Sequence, residues 1–417
     1  MSGTTHIIGA GLSGLSAAVR LAGSGRKVVV HEATAQAGGR CRSYHDPFIG
    51  MVIDNGNHLL LSGNHEALAF LRTIGGESHM VGPPDAAFPF IDLASGARWT
   101  LNLGRSRLPW WIFKPGARVP NTTVSDYLRL GGLLWAKAGE TVGGRIRCDG
   151  VLYNNLVRPL LIAALNIEPK DGSAALAGTI VRETLLAGGE ACRPLIARDG
   201  LTEAFVGPAL AYVRGKGGDV RFGRQLRRVT FETERASALD FGDETIALAH
   251  DDTVIVAVPP WTARTLLPEV SVPTKFRPIL NAHFKIDPPK DFPALIGVVN
   301  ATVEWVFAFP GRLSVTISDA GRLMDQPREQ VAETIWREVA AIAKLDGTPL
   351  PPWQIVRERR ATFEATPEEN AKRPGPATAW RNLFLAGDWT ATGLPATIEG
   401  SVRSGHRAAE LVSRTVA

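Results

Sequence analysis

Cysteine, methionine and tyrosine are scarce in this chain, at three, four and four among 417 residues. The cysteines, Cys41, Cys148 and Cys192, are odd in number and far apart. That excludes a disulfide framework and any metal-ligand spacing, and makes a reducing cytoplasm the expected compartment. A long apolar run is also missing. The nearest approach, Ala294 to Phe309, contains Asn300 and Glu304 and is bounded by Pro293 and Pro310, so two buried strands are expected there instead of a membrane span. No signal peptide is visible, because the N-terminal apolar segment belongs to a nucleotide-binding motif. No basic run is interleaved with aromatics, and a net charge of +5 is too mild to imply nucleic acid. It is compatible with an anionic membrane surface. Repeats, low-complexity segments, a nucleophilic triad and a metal site are all lacking.

What is present is an ordinary globular composition, 45% hydrophobic and 21% charged, long enough for two or three domains. The first forty residues read as one unit. His6-Ile7-Ile8 has strand character, Gly9-Ala10-Gly11-Leu12-Ser13-Gly14 follows, and Leu15 to Ala22 reads as a helix of small and apolar residues. Lys27 to His31 is a second strand with Glu32 at its end, followed by Ala33. In that context G-x-G-x-x-G is a dinucleotide fingerprint. Gly9 allows the tight turn, Gly11 lets a pyrophosphate approach, and Gly14 lets helix and strand close up. The free N–H groups at the helix start, from Leu12 and Ser13 onward, face the phosphates. Glu32 is placed for a ribose hydroxyl, and an acid there argues against a 2′-phosphate. Whether the nucleotide is NAD or FAD stays open on this motif alone. Gly38-Gly39-Arg40 would add flexible backbone and a fixed cation beside the same diphosphate.

At the other end, Asn382 to Gly387 reads as a strand, Asp388 follows it, and Pro395-Ala396-Thr397-Ile398-Glu399-Gly400 opens a helix running to about Ser413. A carboxylate at a strand end suits a ribityl hydroxyl. The helix N-terminus, through Pro395, Ala396, Thr397 and Ile398, would point N–H groups at a flavin pyrimidine ring. Between the two ends, Thr123 to Gly139 reads as an amphipathic helix with Val124, Tyr127, Leu128, Leu134 and Trp135 inward. Leu156 to Leu165 is apolar nearly all round, as a buried helix or the wall of a greasy cavity. Residues 105–118 set Trp110, Trp111, Ile112 and Phe113 among Arg105, Arg107, Lys114 and Arg118. This suits a bilayer interface, and equally a loop packed on its own domain.

The order G-x-G-x-x-G, E, G-G-R resembles the FAD-binding start of the flavin amine oxidase and phytoene desaturase superfamily. Asp54-Asn55-Gly56-Asn57-His58 resembles that superfamily's D-x-G-x-H segment, which passes near the flavin. The runs PLLIAALN (159–166) and AGDWTATGLPATIEGSVRSG (386–405) are similar to the hydroxysqualene dehydroxylase family, the squalene-associated FAD-dependent desaturase-like proteins of hopanoid biosynthesis. That resemblance implies an α/β fold. Residues 1–60, 200–260 and 375–417 would form a discontinuous Rossmann-like FAD-binding domain. Residues 61–199 and 261–374 would form an α+β substrate-binding domain with a membrane-contacting segment near 105–118. It further implies non-covalent FAD, with Gly56, Asn57 and His58 beside the flavin and Val229 meeting the adenine through its backbone. The reaction implied is reductive dehydroxylation of hydroxysqualene to squalene by a cytoplasmic protein peripheral on the inner face of the membrane. An unidentified electron donor, NAD(P)H or a redox protein, completes it. His58, Asp54 and Glu399 are the candidate catalytic acids, His58 first. Two alternatives are an FAD-dependent desaturase of a polyene such as phytoene, or another amine oxidase-like oxidoreductase, and a flavin-bearing escort without catalysis.

Overall fold

The computed structural model describes residues 3–415. Its first layer is a five-stranded parallel sheet. Strand β1 (Thr5–Ile8) lies at the centre, with β2 (Val28–His31) and then Asp219–Arg221 on one side, and Thr253–Val256 and then Leu383–Leu385 on the other. The fully buried strands Val28–His31 and Thr253–Val256 are near-continuous apolar runs, as a parallel sheet covered on both faces requires. Helix α1 (Leu12–Gly23) crosses from β1 to β2. Strand order reverses at β1, which puts a crevice at the carboxyl ends of the strands, the place where open α/β sheets take ligands.

A second sheet of seven strands runs in the order Trp353–Phe363, Phe276–Lys285, Arg312–Ile317, Trp305–Phe309, Leu295–Val299, Ala87–Asp92, Arg98–Asn102. All neighbours pair antiparallel except Leu295–Val299 with Ala87–Asp92. The expected pair of strands within 294–309 is therefore present. Strand period sorts this sheet's side chains. Leu280, Ala282, Val306, Val315 and Ile317 pack beneath the helix Arg328–Ala343 through its Val331, Ile335, Val339 and Ile342. Their neighbours Asn281, Trp305, Phe307, Thr316 and Ser318 line a cavity on the other face.

The expected helix over 123–139 is not formed as one element. Helix Val124–Arg129 ends after six residues, and a 3-10 turn, Leu130–Leu133, replaces its continuation. The pair Gly131-Gly132 explains the break: glycine costs about 1 kcal/mol per residue in a helix, and a Cβ on Gly132 would stand 2.4 Å from the Arg145 carbonyl oxygen. Of the residues expected inward, Tyr127 is buried while Leu128 and Trp135 are 67% and 71% exposed. The apolar run 156–165 does form a helix, Arg158–Leu165, entered through a π-turn, Tyr153–Val157.

Candidate functional site

The glycines of the N-terminal fingerprint divide their work. Gly9 has φ +106°, and a Cβ there would lie 2.5 Å from the Ala257 carbonyl oxygen. A Cβ on Gly14 would lie 2.0 Å from the Gly9 oxygen, so Gly14 brings α1 onto β1. Gly11 has nothing within 4 Å of where its Cβ would stand, and it lines the cavity. No side chain caps α1 and no acid lies in its first turn, so the N–H groups of Leu12 and Ser13 are left for an anion. Glu32 is held rigidly: one carboxylate oxygen accepts the Ala10 N–H at 2.8 Å and the other the Thr34 N–H at 2.9 Å. Gly38, φ +103°, donates its N–H to the Ala10 carbonyl at 2.8 Å, which seats Gly38 and Gly39 beside Gly11.

The C-terminal return meets this loop directly. Arg40 pairs with both carboxylate oxygens of Asp388, at 2.8 and 2.7 Å, and also donates to the Ala361 carbonyl. Gly387 donates to the Ser404 hydroxyl at 2.9 Å, and buried Trp389 donates through Nε1 to the Val258 carbonyl at 2.9 Å. The Thr397 hydroxyl accepts the Gly400 N–H at 3.0 Å, capping the helix Ile398–Thr415. That helix packs on α1 through Gly405, whose Cβ would meet the Ser13 carbonyl oxygen at 2.1 Å.

One cavity of about 760 Å³ unites these parts. Its polar end is lined by Gly9, Gly11, Leu12, Ser13, Glu32, Ala33, Gly38, Gly39 and Arg40 from the first forty residues. Gly387, Asp388, Ala396, Thr397, Ile398 and Glu399 come from the last, with Gly56, Asn57 and His58 beside them. Four expected positions fall outside it. Gly14 and Pro395 shape the backbone behind the lining. Val229 sits within an antiparallel meander paired with Leu239. Arg224, Gln225 and Leu226, just before that strand, are what the chain presents to the cavity. Asp54 is withdrawn: it accepts from the Ser43 hydroxyl at 2.7 Å and the Leu201 N–H at 2.9 Å, and it faces Arg312 at 3.6 Å.

The remaining two acid candidates also change character. Glu399 accepts N–H groups from Glu66 and Ala67 at 3.2 and 2.9 Å and pairs with Arg403. It anchors the start of the helix His65–Ile74 and is occupied as an acceptor. Burial, opposed by Asp54 and assisted by Arg40, pushes His58 down to about 4, so its imidazole is neutral at physiological pH. Burial, with Asp54 nearby, holds Cys41 as a thiol well above the usual range. Sequence reasoning passed over Arg373 altogether. The residue is 7% exposed, and its guanidinium donates to the Asp388, Trp389 and Thr390 carbonyls and the Thr392 hydroxyl. It lies in the loop Lys-Arg-Pro-Gly-Pro, where no periodicity marks it.

The other end of the cavity is apolar, with Leu103, Leu133, Leu156, Leu161, Leu185 and Phe307 among its walls. The arrangement fits a dinucleotide with a ring system at its far end: uncapped N–H groups at one helix start, a rigidly held carboxylate at a strand end, and a second carboxylate and helix start beyond them. It is the site of a flavin-dependent oxidoreductase, with an apolar compartment in the same cavity. The model of flavin containing amine oxidoreductases matches residues 12–413, and the chain belongs to that family, with FAD as its cofactor. Within it, the chain is 60% identical over 413 residues to the hydroxysqualene dehydroxylase of Rhodopseudomonas palustris, covering 99% of both proteins. It is 59% identical over 411 residues to the protein of the same name from Sinorhizobium fredii, covering 99% of this chain and 98% of that one. The fold is shared with an oxidoreductase from Methanosarcina mazei at TM-score 0.73 and 15% identity, over 98% of this chain and 100% of the other.

Proposed function

We infer that this protein removes the hydroxyl of hydroxysqualene reductively, yielding squalene and water. The observation that carries this reading is the full-length identity of about three residues in five to proteins of that name. A single cavity that joins a nucleotide-binding end to an apolar one supports it. Bound and reduced, FAD supplies the hydride equivalent that takes the place of the hydroxyl. The chain supplies the surroundings of the reacting carbon. The leucines and Phe307 keep water from the reacting carbon. Asn281, Thr316 and Ser318, on the cavity face of the seven-stranded sheet, give the carbinol polar partners in an otherwise apolar wall. The hydroxyl leaves as water with one proton taken up from solvent, and a hydrogen-bond donor at its oxygen lowers the barrier. His58 fills that position as a neutral N–H donor, not as a preformed imidazolium. Electrons come from an external donor, NAD(P)H or a redox protein, and the reaction takes place at the cytoplasmic membrane surface.

His58→Asn is expected to leave FAD affinity within about threefold of wild type while lowering kcat about tenfold to a hundredfold. Because the folded-state value is about 4 against 6.5 for the free side chain, wild-type kcat should show no break near pH 6.5 from this residue. The linked stability is complete above pH 6.5 and is lost as pH falls from 6.5 toward 4, where the unfolded chain takes up the proton first. A break near pH 6.5 that disappears in the variant would refute the neutral donor. The function itself is tested by incubating photoreduced holoenzyme anaerobically with hydroxysqualene and extracting the products. Stoichiometric squalene is expected. If no squalene forms, while phytoene is dehydrogenated by the oxidised enzyme, the polyene desaturase reading replaces this one.

A further inference from the structure

Leu108, Trp110, Phe113, Leu128, Trp135 and Leu186 are between 44% and 71% exposed. Single exposed apolar residues are normal on a protein surface, but these are tied into one face. The Trp110 and Phe113 rings lie 6.0 Å apart, and between them Trp111 is buried, edge-on to Tyr127 at 5.2 Å. That contact fixes residues 110–113 to the helix carrying Leu128. Arg182 donates to the Leu134 carbonyl at 3.0 Å, and Gly189 donates to Ser106 at 3.1 Å. Trp135 and Leu186 are thereby held at the same surface.

Charge on this face is predominantly basic, with Glu140, Glu183 and Glu190 at its margins. Residues 105–137 hold six cations, Arg105, Arg107, Lys114, Arg118, Arg129 and Lys137, against the single acid Asp126. Their balance equals the +5 of the entire chain. Asp85 pairs with Arg105 and Asp126 with Arg129. The other four cations have no carboxylate partner among the described residues; Arg107, Lys114 and Lys137 are exposed, while Arg118 is half-buried. Beneath the face the wall is thin. Leu130, Leu133, Ile180 and Leu185 line the apolar end of the cavity, while their chain neighbours Leu128, Arg129 and Leu186 are exposed on its outside.

We propose that this face docks on an anionic lipid bilayer and that the isoprenoid alcohol passes between bilayer and cavity through the wall formed by Leu130, Ile180 and Leu185. The proposal rests on the dehydroxylase reading for the identity of the alcohol. The docking surface stands on exposure and charge alone. Exposed indole and phenyl rings insert at headgroup depth, the unpaired cations meet lipid phosphate, and the substrate exchanges one apolar phase for another without crossing water.

The test uses holoenzyme and the double variant Trp110→Ser/Trp135→Ser, neither residue of which lines the cavity. Wild type should co-sediment with phosphatidylglycerol-containing vesicles, more weakly at 0.5 M salt and hardly at all with pure phosphatidylcholine. The variant should bind those vesicles about tenfold more weakly. It should lose turnover of hydroxysqualene dissolved in them, yet convert detergent-solubilised substrate at the wild-type rate. Equal sedimentation of the two proteins, or equal binding to both lipids, overturns the proposal. So does a wild type that elutes as a dimer while the variant elutes as a monomer, which would assign the face to a second copy of the chain. Absence of squalene even from detergent refutes the dehydroxylase reading, and the sedimentation result then still decides the docking surface.

Discussion

Gly11→Ala is expected to melt as apoprotein within about 1 kcal/mol of wild type and to bind FAD at least a hundredfold more weakly. The new methyl has open space in the folded chain, with nothing within 4 Å. Residue 11 has φ −72°, a conformation any residue accepts. The only cost to folding is alanine in place of glycine at a helix N-cap, about 1 kcal/mol at most. The open space is the cavity itself, at the point where N–H groups of α1 face an anion. A methyl there would stand between those groups and a pyrophosphate bound at the helix start, and a hundredfold loss is about 2.7 kcal/mol. Gly14→Ala, three residues on, should behave in the opposite way. Its Cβ has only 2.0 Å to the Gly9 oxygen and 3.3 Å to the Ala257 side chain, so α1 has to leave β1 at a cost of about 3 kcal/mol or more. Thermal melts of the two apoproteins and flavin-fluorescence titrations separate these effects. Wild-type FAD affinity in Gly11→Ala would mean that the pyrophosphate does not pass over that residue.

Arg373→Met is the second large effect. The guanidinium is buried over the Phe363 ring at 4.7 Å and is shared among three consecutive carbonyls and the Thr392 hydroxyl. Burial lowers it from 12.5 to about 10, so it remains a cation at neutral pH. Methionine preserves the stem and removes every donor, leaving the carbonyls of Asp388, Trp389 and Thr390 without the partner that shapes their loop. About 3–5 kcal/mol of stability should be lost. Because Asp388 is what Arg40 grips, FAD affinity should fall by more than tenfold in the same variant. Arg373→Lys keeps the charge without the planar fork and should recover only part of either loss. A melting temperature unchanged in Arg373→Met would show that the loop holds its own shape.

These two sites mark where the sequence was legible and where it was not. That Gly9, Gly11, Glu32 and Asp388 line one cavity could be foreseen from the sequence because they follow strand ends whose period and breakers are visible. Val229, expected beside the adenine, does not line the cavity. The chain turns at Gly223 and presents Arg224 to Leu226 to the cavity before its next strand begins, and no local pattern encodes the path of such a loop. The π-turns at Tyr153–Val157 and Thr202–Val206 each insert a residue into a helical pattern that otherwise continues. Helical periodicity over 123–139 was real but lost to Gly131-Gly132. Asp54 and Glu399 were read as acids because carboxylates near a flavin segment suggest proton transfer. Their partners, Leu201, Ser43, Glu66 and Ala67, lie 11 to 333 positions away in sequence, and only the fold reveals that both are structural acceptors.

The ion pair of Arg40 with Asp388 joins residues 348 positions apart, and this sets a schedule for the nascent chain. Until Leu383–Leu385 adds the last strand beside Thr253–Val256, and the helix Ile398–Thr415 covers α1, the N-terminal βαβ unit keeps an apolar flank open to solvent. Synthesis from the N-terminus therefore yields a half-site early and its complement 348 residues later. Closing so long a loop is slow relative to local helix formation. A nascent chain that lacks residues 383–415 consequently keeps adhesive surface on view, and flavin capture should have to wait until they are made. Chains cut short before residue 383 should accumulate with chaperones and carry no yellow colour.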